Sequence, residues 1–176
     1  AMAVIIGADK KQLEIICRQD GIVVPANMNA PGQVVISGDK IAVEAAINTA
    51  KKIGIRRALP LRVSGAFHSP LMRPAREPLL EIINSVNFRD AIIPVYQNIH
   101  AEPVTDYNIL RKNILKQLEN PVLWSDIILN MKKEGISNFF EVGPGKVLKG
   151  LNQRIFPEST TIICDKLEHL DACEVL

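Results

Sequence analysis

The sequence is of moderate length, ordinary composition and nearly balanced charge. It has 176 residues, 47% hydrophobic and 23% charged, and its 21 Lys and Arg against 19 Asp and Glu leave a formal net charge of +2. This length suits one domain or two small ones with a real core. The low net charge argues against a nucleic-acid-binding protein. The absence of any apolar run near roughly 18 residues argues against a membrane span.

The three cysteines, Cys17, Cys164 and Cys173, show no Cys-x-x-Cys pattern and no spacing typical of a metal site. We therefore expect reduced thiols, no disulfide and no structural metal. Thiols of this kind favour a reducing compartment, which predicts a cytoplasmic location.

The first sixty residues predict four strands and two helices. The strands are expected at residues 1–6, 22–28, 33–37 and 55–63. The first helix begins after Asp9, with Gln12 at the capping-box position, and the second begins after Asp39 and ends at Gly54. The order βαββαβ is the ferredoxin-like arrangement, with a four-stranded sheet and both helices on one face. We predict that residues 1–63 form such a subdomain, which could fold by itself.

A histidine follows the last of these strands, at a predicted junction between strand and helix. Ser69 can cap the helix, and Pro70 suits its first position, where no amide hydrogen is needed. This places His68 on the loop just before the helix. Because an imidazole gains and loses a proton near neutral pH, His68 is a candidate general base. A histidine that merely fills a turn is the alternative.

The rest of the chain predicts alternating helices and strands. Strands are expected at 92–97, 138–142 and 160–164, and helices after Ser69 and at 106–119, 122–134 and 144–155. Pro74 and Pro78 predict irregular or kinked first turns in the helix after Ser69. Alternation of this kind is typical of a mostly parallel α/β sheet. Three strands are too few for the apolar helix faces on offer, so we expect residues 64–176 to be part of a larger layered structure.

No nucleophile motif accompanies the histidine. The G-x-S-x-G elbow of serine hydrolases and acyltransferases needs two glycines four residues apart, and this sequence has no such pair. We interpret Ser37, Ser64 and Ser69 as cap or turn residues. The segment 143–146 (G-P-G-K) resembles a phosphate loop only superficially, because the Walker spacing is longer and Ser or Thr must follow the lysine. Val147 stands there instead, and a tight turn feeding a helix is the better interpretation.

Four segments, in this order, resemble a known family. They are 29–38 (N-A-P-G-Q-V-V-I-S-G), 57–61 (R-A-L-P-L) leading into Phe67 and His68, 117–122 (Q-L-E-N-P-V) and 141–148 (E-V-G-P-G-K-V-L). Together they resemble the second part of the malonyl-CoA:acyl carrier protein transacylases, the acyltransferases of fatty acid synthesis. The resemblance runs from Ala1 to about Cys164. It implies an α/β-hydrolase-like acyltransferase subdomain, of which residues 64–176 are the C-terminal part, with a ferredoxin-like subdomain inserted into it.

The resemblance implies roles for three residues. His68 matches the family's catalytic histidine, which deprotonates a serine so that it attacks the malonyl thioester. Gln117 matches the residue whose main-chain carbonyl accepts a hydrogen bond from the histidine's other nitrogen. Phe67 matches an aromatic position that accompanies malonyl over methylmalonyl preference, because a ring leaves little room for an α-methyl branch. A solvated helix residue at Gln117 and a simple core residue at Phe67 are the alternatives.

The implied reaction uses malonyl-CoA as donor and the phosphopantetheine thiol of acyl carrier protein as acceptor, with no metal and no further cofactor. The family's serine elbow, its carboxylate-binding arginine and its glutamine-rich loop have no match in this sequence. We therefore expect a C-terminal part of such an enzyme, inactive alone. We also expect residues 70–176 to expose a large apolar face where the missing N-terminal segment docks. Two other functions stay open: an acyltransferase domain of a polyketide synthase, and a non-catalytic ferredoxin-like interaction module.

Overall fold

The computed structural model describes residues 1–169, and Cys173 lies outside this range. The first sixty residues form four strands and two helices. They are β1 (Met2–Ile6), α1 (Lys10–Cys17), β2 (Val23–Ala30), β3 (Gln33–Gly38), α2 (Lys40–Lys52) and β4 (Arg57–Pro60). The sheet has the order β2-β3-β1-β4, and every neighbouring pair is antiparallel. The element order βαββαβ is the predicted one.

Two aspartates define where the helices of this sheet begin. The Oδ1 atom of Asp9 accepts from the Gln12 amide at 2.8 Å, and the Gln12 side chain accepts from the Asp9 amide at 3.0 Å. The predicted capping box is therefore confirmed. Asp39 precedes α2 without capping it. Its carboxylate instead accepts from the Ile22 amide at 2.7 Å, which ties the start of the helix to the segment leading into β2.

The core of the first region lies between the two helices and one face of the sheet. Side chains alternate along the strands, so Val34 and Ile36 point to the helices and Val35 points to the opposite face. The buried cluster on the helix side consists of Ala3, Ile5, Leu13, Ile16, Val23, Val34, Ile36, Ala42, Val43, Ala46, Ile47, Ala50, Ile55 and Ala58.

The second region contains shorter sheets and more separate helices. A 3-10 helix (Pro70–Ala75) leads into α3 (Arg76–Ser85), and the further elements are β5 (Val95–Tyr96), β6 (Pro103–Val104), α4 (Tyr107–Gln117), α5 (Trp124–Lys133), β7 (Asn138–Val142), α6 (Val147–Ile155), β8 (Thr160–Cys164) and a 3-10 turn at Leu167–His169. Strands β5 and β6 pair antiparallel, and β7 and β8 pair in parallel. The bounds predicted for β7 and β8 are confirmed. The architecture as a whole is mixed α/β, with an antiparallel sheet and packed helices.

Backbone hydrogen bonds join the two regions at strand β2. The Val122 amide donates to the Ala26 carbonyl, and the Met28 amide donates to the Val122 carbonyl, both at 2.8 Å. Ala30 at the end of β2 is buried in the main cluster of the second region. The other members of that cluster are Ile128, Leu151, Ile155 and Phe156. Strand β2 therefore belongs to the cores of both regions.

Several boundaries differ from the prediction for identifiable reasons. The helix predicted from Val122 begins at Trp124, because the backbone of Val122 pairs with β2 instead. The helix predicted from residue 144 begins at Val147, because Gly143 and Gly145 adopt φ angles of +127° and +101° that no helix contains.

Further predictions from the sequence, about a strand and about a serine, were wrong. The strand predicted over 92–97 shrinks to two residues, and its partner β6 was not predicted. Ser37 is neither a cap nor a turn residue, because it lies inside β3 and is fully buried. Within residues 1–169, none of the helices has the length and apolar character needed to cross a membrane.

Candidate active site

His68 occupies the loop between β4 and the 3-10 helix and is half-buried. Its φ angle is +58°, in the left-handed region that residues other than glycine adopt uncommonly. Such a conformation costs energy and persists only where the surrounding structure holds it. The turn around His68 must therefore be fixed by its neighbours.

Ser69 supplies much of that support. Its side chain is fully buried, and its hydroxyl donates to the Ala66 carbonyl at 2.6 Å and accepts from the Leu71 amide at 3.3 Å. Pro70 takes the first helical position, as the sequence predicted, and the interpretation of Ser69 as a cap is confirmed. The hydroxyl thus links the residues on both sides of His68.

The imidazole of His68 contacts the backbone of a distant segment. Its Nδ1 lies 3.0 Å from the main-chain carbonyl oxygen of Gln117. A carbonyl oxygen only accepts hydrogen bonds, so this contact requires the proton on Nδ1. The Nε2 atom then carries the lone pair and can accept a proton from a reacting group. Geometry therefore selects the tautomer that a general base needs.

Gln117 is the last residue of α4, where helix carbonyls lack their usual partners. Its side-chain amide donates to the carbonyls of Asn120 and Pro121 at 2.8 and 3.2 Å, which folds the following residues into a turn. If the side-chain amide were flipped, its oxygen would face the two carbonyl oxygens, and no hydrogen bond could form. The two contacts therefore fix which end of the amide carries the nitrogen. Its Oε1 atom is buried and has no donor within residues 1–169.

An ion-pair cluster links this turn to the helix that follows His68. The carboxylate of Glu119 receives the Nε of Arg76 at 2.7 Å and the Nε of Arg73 at 3.3 Å. The Glu119 side chain is only 9% exposed. This cluster was not predicted from the sequence, because the partners lie 43 and 46 residues apart and no local spacing relates them.

Phe67 lies next to the histidine and is not a core residue, since it remains 39% exposed. Its ring packs over Gly65, where a Cβ atom would come within 3.3 Å of the ring. A side chain at position 65 would therefore require the ring to shift by a few tenths of an ångström. The glycine lets the Phe67 ring pack close to the backbone next to His68.

A cavity of about 340 Å³ adjoins Gln117 and is walled largely by amides. Asn113 is buried and donates to Gln97 at 2.9 Å, and Gln97 donates to the Leu110 carbonyl at 3.0 Å. The lining residues are Tyr96, Gln97, Asn98, Asn113, Ile114 and Gln117. None of these residues carries a charge at neutral pH, so the wall is uncharged.

The glycine-rich segment 143–146 leads into a helix whose start is already occupied by a carboxylate. The Glu141 carboxylate accepts from the amides of Leu148 and Lys149 at 2.9 and 2.8 Å, at the start of α6. A negatively charged side chain thus occupies the helix terminus where a phosphate would sit. The prediction of a turn feeding a helix is confirmed.

Cys17 lies away from these groups and is a poor nucleophile. It packs against the core of the first region, and burial raises the pKa of its thiol to about 11. The thiolate is the reactive form of cysteine, so little of it exists at neutral pH. A larger cavity of about 800 Å³ adjoins Cys17, but none of Phe67, His68 and Gln117 lines it.

Comparisons with known proteins agree on one group. The family model described as acyl transferase domain matches residues 1–163. The chain is 40% identical over 159 residues to the malonyl CoA-acyl carrier protein transacylase of Staphylococcus aureus (strain COL), covering 88% of the chain and 52% of the relative. It is 39% identical over 175 residues to the same enzyme of Bacillus subtilis (strain 168), covering 97% and 55%.

Solved structures of similar proteins have the same arrangement. An acyl carrier protein S-malonyltransferase from Vibrio cholerae superimposes with a TM-score of 0.92 at 38% identity, over 98% of this chain and 57% of that one. A malonyl-transacylase in complex with its type II PKS acyl-carrier protein gives 0.91 at 37%, over 99% and 58%. The chain spans about half the length of the curated relatives it matches.

Proposed function

The chain belongs to the acyl transferase domain family, and on that premise we propose that it carries the base of a malonyl transferase. The donor is malonyl-CoA and the acceptor is the phosphopantetheine thiol of acyl carrier protein. The observation that supports this function most directly is the 3.0 Å contact between the Nδ1 of His68 and the Gln117 carbonyl. It orients an imidazole as a base would need, in a chain whose relatives are malonyl transacylases.

The nucleophile comes from a serine outside these 176 residues, since the sequence has no G-x-S-x-G elbow. The Nε2 of His68 takes the proton from that serine as its oxygen attacks the malonyl thioester carbonyl. When the tetrahedral intermediate collapses, the C–S bond breaks and the imidazolium returns the proton to the departing CoA thiolate. A malonyl-serine ester and free CoA result.

The second half of the reaction reverses the roles. His68 takes the proton of the phosphopantetheine thiol, and the sulfur attacks the ester carbonyl. The C–O bond then breaks, and the imidazolium returns the proton to the serine oxygen. Gln117 orients the ring throughout by accepting the Nδ1 hydrogen. An uncharged orienter suits this substrate, because a carboxylate there would repel the malonyl carboxylate.

Phe67 acts on substrate choice in this proposal. Its ring stands beside the base and is partly accessible. An α-methyl branch on the acyl group would meet this ring, so malonyl is preferred to methylmalonyl. The reaction needs no metal and no cofactor beyond its two thioester partners. A thiol acceptor favours a reducing compartment, which we take to be the cytoplasm.

Two further observations support an architecture for the complete enzyme. The sheet order β2-β3-β1-β4 with two crossing helices supports a ferredoxin-like subdomain at 1–63. Large aliphatic side chains stand exposed within residues 64–169. Their exposure supports the assignment of 64–176 as part of an α/β-hydrolase-like subdomain that an N-terminal segment of the same enzyme covers. The most exposed are Ile82, Ile92, Ile93, Val142 and Val147, at 63, 100, 74, 77 and 71%.

The experiment compares His68→Gln with His100→Gln in the natively purified assembly that contains the serine-bearing segment. Transfer of labelled malonyl from malonyl-CoA to acyl carrier protein is measured, and intact mass under denaturing conditions reports the malonyl-serine ester. His68→Gln should lower the rate by about 10²- to 10⁴-fold, the usual contribution of a general base. His100 is exposed and should tolerate the change. Equal rates for both variants would contradict the proposal.

A second acceptor is suggested by one neighbour. The malonyl-transacylase in complex with a type II PKS acyl-carrier protein has the same fold as this chain. The acyl-carrier protein of a polyketide synthase is therefore the second candidate acceptor. Comparing kcat/KM for carriers of the two kinds distinguishes them, since the preferred carrier should give the higher value.

A further inference from the structure

We propose that Glu119, held by Arg73 and Arg76, is a positioning residue that keeps the Gln117 carbonyl at the Nδ1 of His68. This inference rests on the proposed role of His68 as the base. The Glu119 carboxylate accepts from the two arginines and makes no hydrogen bond to the imidazole. It acts through the backbone that carries Gln117.

The placement of the three residues supports this role. Glu119 follows Gln117 by two residues, and Arg73 and Arg76 follow His68 by five and eight. Arg73 lies in the 3-10 helix and Arg76 begins α3. The Nε atoms of both arginines bind the same carboxylate, one on each oxygen. The ion-pair cluster thus joins the segment just after the base to the segment just after its orienting carbonyl.

Other connections between these segments are scarce. Among the hydrogen bonds of the described chain, residues 64–76 reach residues 117–121 only through the His68–Gln117 contact and through Glu119. The Gln117 side chain shapes its own turn but does not cross to the histidine segment. Helices α3 and α4 are also tied by Asn84 and Arg111, but at other turns of these helices.

Burial of the carboxylate, not of the arginines, separates this cluster from ordinary surface ion pairs. Glu119 is 9% exposed while Arg73 and Arg76 are 70 and 44% exposed. In the pair between Lys132 and Glu158, 3.7 Å apart, both side chains are exposed, at 47 and 73%. Exposed pairs of the second kind contribute little. A carboxylate that is nearly enclosed needs its cationic partners, because removing one side leaves an uncompensated charge. The energy that keeps Glu119 between the arginines therefore also fixes the turn.

The backbone of His68 makes this support necessary. Its left-handed conformation is strained, so the loop relaxes if its contacts weaken. Once the Gln117 carbonyl moves by a fraction of an ångström, the hydrogen bond from Nδ1–H to this carbonyl lengthens. The imidazole can then rotate or exchange tautomers. A misplacement of about 1 Å in a reacting group can cost about 10²-fold in rate, so a smaller shift should cost less.

The direct test is the tautomer of His68 in the ¹⁵N-labelled chain. Long-range ¹H–¹⁵N spectra of the neutral imidazole distinguish a proton on Nδ1 from one on Nε2. The native chain should show Nδ1 protonated. Glu119→Gln keeps the shape and removes the charge, and should move the His68 signals toward the Nε2-protonated form. Glu158→Gln, the same change in an exposed pair, should leave them unchanged, and the His100 signals should not move in either variant.

A folded Glu119→Gln variant with native His68 signals would overturn the inference. Should that variant fail to fold, Arg73→Lys and Arg76→Lys keep the charge and lose the Nε donors. Each should shift the His68 signals part of the way, and native signals in both would equally overturn it.

Turnover in the complete assembly gives a second readout. Glu119→Gln should lower kcat by about tenfold and leave the KM for malonyl-CoA unchanged, because binding groups are untouched. Indifference of the enzyme to His68→Gln would reject the proposed function and leave the spectroscopic result standing. A normal His68→Gln defect with no effect of Glu119→Gln on kcat or tautomer would reject only the positioning role.

Discussion

The two regions of the chain bury their apolar residues in different ways. Residues 1–60 close on themselves, with one continuous cluster between two helices and a four-stranded sheet. Residues 64–169 form two separate two-stranded sheets and one small cluster that includes Ala30 from the first region. Ile92 and Ile93 in the second region stand 100 and 74% exposed. The difference accompanies strand pairing, since the four strands of the first region share one sheet and the four of the second are divided between two.

The candidate site lies where the two regions meet. His68 leaves the closed sheet on the loop after β4, and Gln117 ends a helix of the open region. Five residues after Gln117, the backbone of Val122 pairs with β2. The pairing of Val122 with β2 thus anchors the segment that follows Gln117 to the four-stranded sheet. Sites supported by the regular elements of a scaffold are positioned more precisely than sites on loops alone.

Separating the regions should produce the largest difference. We expect 1–63 alone to unfold cooperatively, since its core residues are nearly all supplied from within it. We expect 64–176 alone to bind a hydrophobic dye and to lack a cooperative transition, because its apolar surface has too few partners. Thermal unfolding followed by circular dichroism tests each piece for a cooperative transition, with the intact chain as control. The fluorescence of the dye measures its binding. Cooperative unfolding of 64–176 without dye binding would remove the contrast.

Substituting single aliphatic residues should show the same contrast between the regions, with a smaller change in the free energy of unfolding. Ile36 is fully buried in the first region and Ile92 fully exposed in the second. Truncation of a buried isoleucine to alanine costs about 2–5 kcal/mol, whereas exposed substitutions usually stay within about 0.5 kcal/mol. Denaturant unfolding of Ile36→Ala and Ile92→Ala in the intact chain compares them. A large loss for Ile92→Ala would mean that this side chain packs in solution.

Local sequence signals predicted the closed region well. The capping box at Asp9 and Gln12 works within one helical turn, and the strands alternate between two faces whose partners lie nearby in the chain. In the second region the bounds of β7 and β8 were predicted correctly, because each strand is marked by its own apolar run in the sequence. The prediction failed where a distant segment decided the outcome. Val122 leaves the predicted helix because β2 offers it two hydrogen bonds.

The site divides in the same way. The placement of Ser69 followed from capping chemistry and needed no tertiary information. His68 was a candidate base from its position just before a helix, but its pairing with the Gln117 carbonyl came only from resemblance, since no spacing rule relates residues 49 positions apart. The left-handed backbone of His68 and the ion pairs of Glu119 gave no signal in the sequence. Both depend on contacts between elements that the pattern of apolar residues does not order.

The smallest expected effect concerns the thiol of Cys17, beside the closed core. Burial raises its pKa to about 11 from an ordinary value of 9.0, so between these values the unfolded chain loses a proton that the folded chain keeps. The free energy of unfolding should therefore fall as pH rises through this window, by an amount that partial exposure of the thiol keeps small.

Denaturant unfolding of the native chain and of Cys17→Ala across this window isolates the contribution of the thiol, because all other titrating groups are common to both. Below pH about 9 the difference in unfolding free energy between the two should be constant, and above it the native chain should lose its margin over the variant. Parallel curves throughout would mean that water reaches the thiol in the folded state. Since that thiol packs against the cluster that distinguishes the first region, parallel curves would also weaken the evidence that this region closes on itself.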